Sequence, residues 1–336
     1  MSGFTITGGV SFSGAVGMSD APPPDNTAAW FGGGTDPGYN NHSRVDRITF
    51  ATDTATASVR GTLSSPRRDL TATGISTNGW FGGGQNEAGN SLSRVDRITY
   101  ATDTATAVAR GPLSLARYTL AAAGNLTGGW FGGGALGAPT YSSTSTVDRI
   151  TYATDTATAS VRGPLSSIRS GIGAAGNTTN GWFGGGYGPG PKSTVDRITY
   201  ATDTDTASVR GPLSVARTGV GATSNSEYGW FASGFDGNYP FAYSSTVNRI
   251  TYANDTATAS VRGPLNYYQG GKTGMGAAGN TYDGWFGGGN GYYGSLVTQT
   301  FSIVDRITYA TDTATAATRG PLSLARYTLG AAGGLQ

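Results

Sequence analysis

Short stretches in which apolar and polar residues alternate recur along the whole chain. The segment TVDRITY at residues 146–152 and the segment TATASVR at residues 156–162 both alternate with a period of two, which is the side-chain period of a β-strand. Turn-forming residues, such as the pair Gly163-Pro164, separate these stretches. No segment shows a sustained helical period, so the pattern predicts an all-β protein.

Trp-Phe pairs mark a repeat of about fifty residues, and their tryptophans are Trp30, Trp80, Trp130, Trp182, Trp230 and Trp285. Each pair precedes a glycine triplet, except in the fifth repeat, where Ala232-Ser233-Gly234 follows. A second block, TVDRITYATDTATASVRGPLSSIR at residues 146–169, also recurs six times in all. So regular a period indicates an architecture that uses one structural unit six times.

Each repeat resolves into four predicted strands. In the third repeat they cover residues 117–124, 129–132, 146–152 and 156–162. Four short strands in each unit of about fifty residues are typical of a propeller blade rather than of a sandwich. We expect the glycine triplets to allow close backbone packing, because no helix follows them as it would in a phosphate-binding loop.

The order of motifs within a repeat resembles that of a kelch-type blade. It comprises the strand Trp130-Phe131-Gly132-Gly133, a following strand that ends in Tyr152, and Arg169, which opens the next unit. The resemblance covers residues 25–336 and implies a β-propeller. Kelch blades usually carry a tryptophan on the fourth strand, where this chain has Ala159 or its equivalents.

The two ends of the repeat region complement each other. Residues 326–333 form a predicted first strand with no Trp-Phe strand after it, whereas residues 28–31 form a second strand with no first strand before it. We therefore expect the C-terminal strand to complete the first blade, because closure removes exposed strand edges. The predicted fold is an all-β, six-bladed, kelch-like propeller at residues 25–336, with four antiparallel strands in each blade.

Charge and composition narrow the classes of partner. The 22 Lys and Arg residues are spread evenly over a chain of net charge +2, so the basic patch typical of nucleic-acid binding is missing. The chain has no cysteine, which excludes disulfides and thiolate metal sites. No apolar run approaches the roughly 20 residues that cross a membrane, and residues 1–10 lack the features of a signal peptide. We expect neither nucleic-acid binding nor membrane insertion.

Residues suited to catalysis are few. His42 is the only histidine, and Glu87 and Glu227 are the only glutamates, a poor set for acid–base chemistry. Asp203 and Asp205 form a pair far weaker than a calcium-binding loop. An Asp or Asn precedes an Arg in every repeat, which we interpret as framework hydrogen bonding, at Asp46, Asp96, Asp148, Asp196, Asn248 and Asp305. The sequence predicts no catalytic site, no metal site and no cofactor, although carboxylates could still meet across the ring.

One set of links between strands varies while another does not. The link Ala-Thr-Asp-Thr between the third and fourth strands is almost constant, whereas the link between the second and third strands changes in length and content. Tyrosines on the loops of a rigid scaffold supply contact area for recognition, although unselected surface loops also drift. The candidate ligand-binding residues are Tyr39, Tyr141, Tyr187, Tyr239, Phe241, Tyr243, Tyr267, Tyr268, Tyr292 and Tyr293.

Residues 1–24 lie outside the repeat. They are too few to build a core of their own, and Pro22-Pro23-Pro24 makes a stiff spacer, so we expect the segment to dock onto a partner. The candidate docking residues are Phe4, Ile6, Val10 and Phe12. The opening MSGFTITGGVSFSG and the Thr-rich, low-charge repeats resemble virion structural proteins of marine, cyanophage-type bacteriophages.

These features favour a non-enzymatic phage virion component, such as a tail fibre or a protein attached to the tail or capsid. Residues 1–24 would bind other virion proteins, and the variable loops would bind a host-surface glycan or protein. The alternatives are a purely structural decoration protein without host recognition and a propeller-fold hydrolase or lyase. The expected location is the virion or, alternatively, the extracellular space, and homo-oligomerisation is left open.

Overall fold

The computed structural model of the protein describes residues 27–237, 243–266, 271–293 and 297–333. The docking residues predicted in the N-terminal segment, Phe4, Ile6, Val10 and Phe12, lie outside the described residues. The strands form six four-stranded antiparallel sheets, numbered I to VI here, and two smaller sheets.

The strands of the first three sheets follow one another along the chain. They are β1 (Ala28–Gly32), β2 (Val45–Thr49) and β3 (Ser58–Val59) of sheet I; β4 (Thr71–Gly74), β5 (Asn78–Gly82), β6 (Val95–Thr99) and β7 (Val108–Arg110) of sheet II; and β8 (Ala121–Gly124), β9 (Gly128–Gly132), β10 (Val147–Thr151) and β11 (Ser160–Arg162) of sheet III.

The remaining strands include those of the two smaller sheets. Sheet IV consists of β12 (Gly173–Gly176), β13 (Asn180–Gly184), β16 (Val195–Thr199) and β17 (Ser208–Arg210), and the two-stranded sheet of β14 (Tyr187–Gly188) and β15 (Gly190–Pro191) lies between β13 and β16 along the chain. Sheet V consists of β18 (Gly221–Ser224), β19 (Tyr228–Ala232), β20 (Val247–Thr251) and β21 (Ser260–Arg262), and the three-stranded sheet consists of β22 (Lys272–Thr273), β25 (Asn290–Tyr293) and β26 (Val297–Thr300). Sheet VI consists of β23 (Gly276–Gly279), β24 (Asp283–Gly287), β27 (Val304–Thr308) and β28 (Ala317–Arg319), and β29 (Gly330–Gly333) belongs to sheet I.

A single turn of 3₁₀ helix follows the third strand of each four-stranded sheet, at Phe50–Thr52, Tyr100–Thr102, Tyr152–Thr154, Tyr200–Thr202, Tyr252–Asn254 and Tyr309–Thr311. Within the described ranges, no helix has the length and apolar character needed to cross a membrane.

The six four-stranded sheets surround one axis. The innermost strand of each sheet contacts the innermost strand of the next, in the closed order β29, β4, β8, β12, β18, β23 and back to β29. From its innermost strand each sheet extends outward to a short edge strand. Sheets that are arranged radially in this way form a β-propeller.

The C-terminal strand completes the sheet with which the described chain begins. β29 pairs antiparallel with β1, which places Ala331 opposite Phe31 and Ala332 opposite Trp30. The expected pairing of the two chain ends is therefore present. The outer edge strands of the four-stranded sheets are two or three residues long, and short edges resist pairing with other chains.

The prediction that six four-stranded blades make up the whole fold is wrong, because the described residues form eight sheets. The two additional sheets arise within residues 187–194 and 290–303, which the sequence pattern treats as loops. In the first of these links Gly190, with φ of +91°, reverses the chain between β14 and β15. The second link is long enough to fold back as the hairpin β25–β26, which also pairs with β22.

Two strands of the third repeat are shorter than predicted. β8 begins at Ala121 rather than at Arg117, and β11 begins at Ser160 rather than at Thr156. Thr119 has φ of +52°, a left-handed conformation that no strand accommodates. The residues that lead into β8 therefore form a turn.

Aromatic stacking between neighbouring sheets builds the core. Trp130 of sheet III lies face to face with Tyr200 of sheet IV, with ring centroids 3.9 Å apart. Equivalent stacks with centroids 3.6–3.9 Å apart join the other neighbouring sheets, and Phe50 replaces the tyrosine in one of them. Glycine is required nearby, since a Cβ atom at Gly132 would lie 2.9 Å from Cε1 of Phe183.

Candidate binding site

A buried aspartate joins each sheet to its neighbour. Asp203, which follows the 3₁₀ turn of sheet IV, accepts a hydrogen bond of 2.8 Å from Nε1 of Trp130 in sheet III. The same carboxylate oxygen lies 3.1 Å from Nη1 of Arg149 and 3.4 Å from Nε of Arg162. Six residues occupy this position, and we call them the inter-sheet aspartates: Asp53, Asp103, Asp155, Asp203, Asp255 and Asp312.

The pair of aspartates that the sequence singled out as a weak calcium motif is thereby divided. Asp203 is buried and bound to the neighbouring sheet, whereas Asp205 is exposed. Among the described residues, no three His, Cys, Asp or Glu side chains form a cluster that could hold a metal ion.

A second buried charge precedes each innermost strand. Arg117 donates to the Asp148 carboxylate (2.8 Å) and to the carbonyl oxygens of Phe131 (3.0 Å) and Gly133 (2.8 Å). Ser114 donates through its hydroxyl to the same carboxylate (2.6 Å). The Asp-Arg motifs noted in the sequence therefore supply framework contacts, as their repetition indicated.

The corresponding contacts in sheets V and VI differ. Arg217 donates to the amide oxygen of Asn248 (2.7 Å), and burial lowers the pKa of this guanidinium to about 10. In sheet VI, Nζ of Lys272 lies 3.1 Å from Asp305, and both side chains are fully buried. The sequence did not reveal Lys272 because the link before it is expanded and the residue type changes.

A closed ring of backbone hydrogen bonds encircles the axis on the face that carries the variable links. Each amide donates to the carbonyl of the ring member in the preceding sheet, over distances of 2.6–3.4 Å. Gly171, for example, donates to Thr119 (2.7 Å), which in turn donates to Asp69 (2.8 Å). The six members are Asp69, Thr119, Gly171, Gly219, Gly274 and Thr328.

Above this ring lies a cavity of about 620 Å³, which we call the axial bowl. Its aromatic lining consists of Tyr39, Phe235, Tyr243 and Tyr327. Its polar lining includes Asp69 and Asn290, together with threonines of four sheets, at 119, 218, 273 and 328. The bowl therefore combines aromatic rings with hydroxyl, amide and carboxylate groups.

The candidate residues from the sequence fall into three groups. Tyr39 and Tyr243 line the bowl, whereas Tyr141 and Tyr187 are exposed away from it. Tyr239, Phe241, Tyr267 and Tyr268 lie outside the described residues, and Tyr292 and Tyr293 belong to β25 without described side chains.

Sequence reasoning missed Asp69, Phe235 and Tyr327. The sequence held a signal for Asp69. Two residues after the buried Arg or Lys that precedes each innermost strand, three repeats have glycine and the other three have a larger residue, one of which is Asp69.

All six ring members have left-handed backbone conformations, but only three of them are glycines. Asp69 has φ of +57°, Thr119 of +52° and Thr328 of +53°. Glycine adopts this region freely, whereas a β-branched residue there is an outlier. Such strain costs on the order of 1–3 kcal/mol at each position. The three strained residues come from the adjacent sheets I, II and III.

Asp69 is the only carboxylate among the described residues that line either axial cavity. Its side chain is 13% exposed, and Nε of Arg68 lies 3.4 Å from its Oδ2. Burial raises the pKa of Asp69 to about 6, and the charge of Arg68 opposes that rise. Burial also raises the pKa values of Tyr118 and Tyr327, so both phenols remain hydrogen-bond donors at neutral pH.

Below the ring the axis continues as a narrower cavity of about 220 Å³. Its walls are the innermost strands, which contribute mainly Ala, Gly and Thr, and asparagines such as Asn125 and Asn177 lie at its far end. Asn177 accepts bonds from the amides of Thr179 and Asn180, both 3.0 Å long, which close the turn on that side.

The single histidine lies away from the bowl floor. His42 contacts Asp36 through Nε2 at 3.0 Å. Burial raises the pKa of Asp36, but bonds from Asn40, His42 and Gly38 outweigh that effect and lower the value to about 2.

Comparison with known proteins adds information on the fold alone. No family model and no curated protein matches the chain. A solved structure of YjhT matches with a TM-score of 0.66 and 14% sequence identity, covering 88% of this chain and 95% of that chain. The kelch-type and phage resemblances receive no support from these comparisons.

Proposed function

We propose that this β-propeller is a non-enzymatic binding module whose axial bowl binds a glycan of a host-cell surface. The observation that carries the proposal is the bowl itself, in which four aromatic side chains accompany hydroxyl groups and a single carboxylate. Aromatic rings cover the apolar faces of sugars, while hydroxyl and carboxylate oxygens bond to sugar hydroxyls. The adjacent charges of Arg68 and Asp69 offset each other, which favours an uncharged ligand.

We further propose that the protein is a virion component attached on the face opposite the bowl, where the first described residue lies. The carbonyl oxygen of Thr27 accepts a bond of 2.9 Å from the amide of Phe50, which opens the 3₁₀ turn between β2 and β3. In this proposal residues 1–24 attach the propeller to other virion proteins. A tether that leaves from that face would present the bowl away from the particle.

Two exposed tyrosines provide a matched test. Tyr39 and Tyr141 both lie in variable links, have φ of +63° and +43°, and are 71% and 68% exposed. Only Tyr39 lines the bowl. Once a glycan array has identified a bound glycan, we expect Tyr39→Ala to weaken its binding about tenfold or more, and Tyr141→Ala to change it less than about twofold.

Other results would refute the proposal in different ways. Equal effects of the two substitutions would exclude the bowl as the site. If the intact protein binds no glycan on the array, a decoration protein is favoured. If it binds a host-surface protein instead, recognition of a protein is favoured. Release of cleaved products from a bound glycan would favour the hydrolase or lyase.

A further inference from the structure

The floor of the axial bowl has two unlike halves. On one side lie Gly171, Gly219 and Gly274, which take up the left-handed conformation without strain. On the other side lie Thr328, Asp69 and Thr119, which we call the polar crescent. Because sheets I, II and III are neighbours around the axis, these three residues form one continuous arc.

On the glycine half, the fold itself uses the space. A Cβ atom at Gly219 would collide with the hydroxyl of Thr273, and that hydroxyl donates to the carbonyl of Gly219 over 3.2 Å. The hydroxyl of Thr218 likewise approaches the carbonyl of Gly171 at 3.4 Å. Glycine is therefore required here by packing against the next sheet.

On the crescent half, the side chains contribute little to the fold. Among the described residues, the buried hydroxyl oxygen of Thr328 has no hydrogen-bond partner, although a buried polar atom is normally paired. The Asp69 carboxylate has an ion pair of 3.4 Å with Arg68, and the hydroxyl of Thr119 donates to the carbonyl of its neighbour Tyr118 (2.7 Å). These three positions thus have a strained backbone, although their side chains make few contacts that stabilise the fold.

Strained conformations persist where a side chain is needed for another purpose. In this chain glycine would serve the hydrogen-bonded ring equally well, as the other half shows. The side chains of the crescent are two hydroxyls that flank a carboxylate, with Tyr327 beside them in the bowl. Hydroxyls both donate and accept, and a carboxylate accepts from two donors at once, a pattern that complements adjacent hydroxyl groups on one sugar ring.

We propose that the polar crescent of Thr328, Asp69 and Thr119 is the subsite that binds the terminal, uncharged saccharide unit of the glycan. This inference rests on the proposed function and adds the position and chemical class of the unit that is recognised. Asp69 accepts bonds from two neighbouring sugar hydroxyls, and Tyr327 covers one face of the ring. The Thr119 hydroxyl and, after rotation of its side chain, the Thr328 hydroxyl bond to the flanking sugar hydroxyls.

Glycine at the other three ring positions shows which residue can replace those of the polar crescent. In the triple variant Thr328→Gly, Asp69→Gly and Thr119→Gly, all six ring positions carry glycine. We expect the variant to melt about 3 °C or more above the wild type, because strain is removed. We expect its binding to glucose, galactose and N-acetylglucosamine, measured by saturation-transfer NMR, to fall at least tenfold.

Tyr141→Gly is the matched control, since it relieves a left-handed backbone conformation at a residue that does not line the bowl. We expect it to leave sugar binding within about twofold of the wild type. A triple variant that is more stable and does not bind is folded, so the loss cannot be attributed to unfolding.

Each contrary result has its own meaning. If the triple variant binds the sugars as the wild type does, the crescent is not the subsite, although the proposed function stands. If the wild type binds array glycans but none of the three monosaccharides, recognition of a terminal unit is wrong. If it binds neither, the proposed function fails with it. A lower melting temperature of the triple variant would overturn the argument from strain.

Discussion

Two sets of six residues encircle the same axis, and the fold makes different demands on them. The inter-sheet aspartates are identical in all six sheets, and each binds a tryptophan of the preceding sheet at 2.8–2.9 Å. The members of the backbone ring share one conformation and one hydrogen-bond pattern, yet their side chains range from none at Gly219 to the carboxylate of Asp69. The first set is uniform in chemistry, and the second is uniform in geometry alone.

The difference follows from which atoms of each residue make the contacts that hold the sheets together. An inter-sheet aspartate acts through its side chain, which is buried against two guanidinium groups and an indole, so a residue without a side-chain acceptor would leave those groups without a partner. A member of the ring acts through its amide and carbonyl, so its side chain is free to differ. Recognition can therefore develop at the ring without loss of closure.

The largest expected effect comes from removing one of the aspartates. Asp203→Ala leaves Trp130, Arg149 and Arg162 without their common acceptor. We expect a loss of about 3 kcal/mol in the free energy of unfolding, because a buried indole N–H and two partly buried guanidinium groups lose their common acceptor. Urea denaturation measures it. Asp205→Ala, two residues away and exposed, is the control and should change stability by less than about 0.5 kcal/mol. Similar losses in both variants would show that the uniform ring is not what joins the sheets.

A gain is expected where the framework is incomplete. Asn248→Asp would give Arg217 the carboxylate that Arg117 already has in Asp148, with Ser214 in the place of Ser114. We expect about 1–2.5 kcal/mol of added stability, the difference between a hydrogen bond to a charged group and the existing bond to an amide. The pKa of Arg217 should rise from about 10. The reverse change, Asp148→Asn, is the control and should lose a similar amount. A destabilised Asn248→Asp protein would contradict this account of the buried charges.

The smallest effect concerns the pH dependence that the variable ring introduces. The folded-state pKa of Asp69 is about 6, above the value of about 3.9 for an unfolded chain. The unfolded state therefore releases its proton first, and the wild type loses stability as the pH rises from about 4 through 6. Relative to Asp69→Asn, which does not titrate, we expect a loss of about 1–2 kcal/mol between pH 4 and pH 8, measured by denaturation at each pH. Parallel profiles would place the carboxyl in a more open environment than the bowl floor.

Much of the framework could be predicted because it is repeated. Six copies of the Trp-Phe pair and of the Asp-Arg motif make chance improbable, and a group needed in every unit is a structural group. The two small sheets could not be predicted in this way, because β14, β15, β25 and β26 belong to links that differ from repeat to repeat. The pairing of Lys272 with Asp305 was hidden for the same reason.

The bowl was only partly predictable. Tyr39 and Tyr243 were expected from the aromatic content of the variable links, and both line it. Tyr141 has the same residue type and a similar exposure but lies elsewhere on that face. Composition indicates which links are aromatic, whereas the direction of each side chain depends on its backbone conformation.

The amino-acid sequence by itself determined the period, the strand pattern and the complementary chain ends, because these depend on local residue order and on repetition. Only the tertiary structure decided that Thr328, Asp69 and Thr119 lie side by side and share a strained conformation, since residues so distant along the chain meet only when the sheets close around the axis. Backbone strain arises where a residue other than glycine has a positive φ. The sequence gives the residue type, but only the fold gives φ.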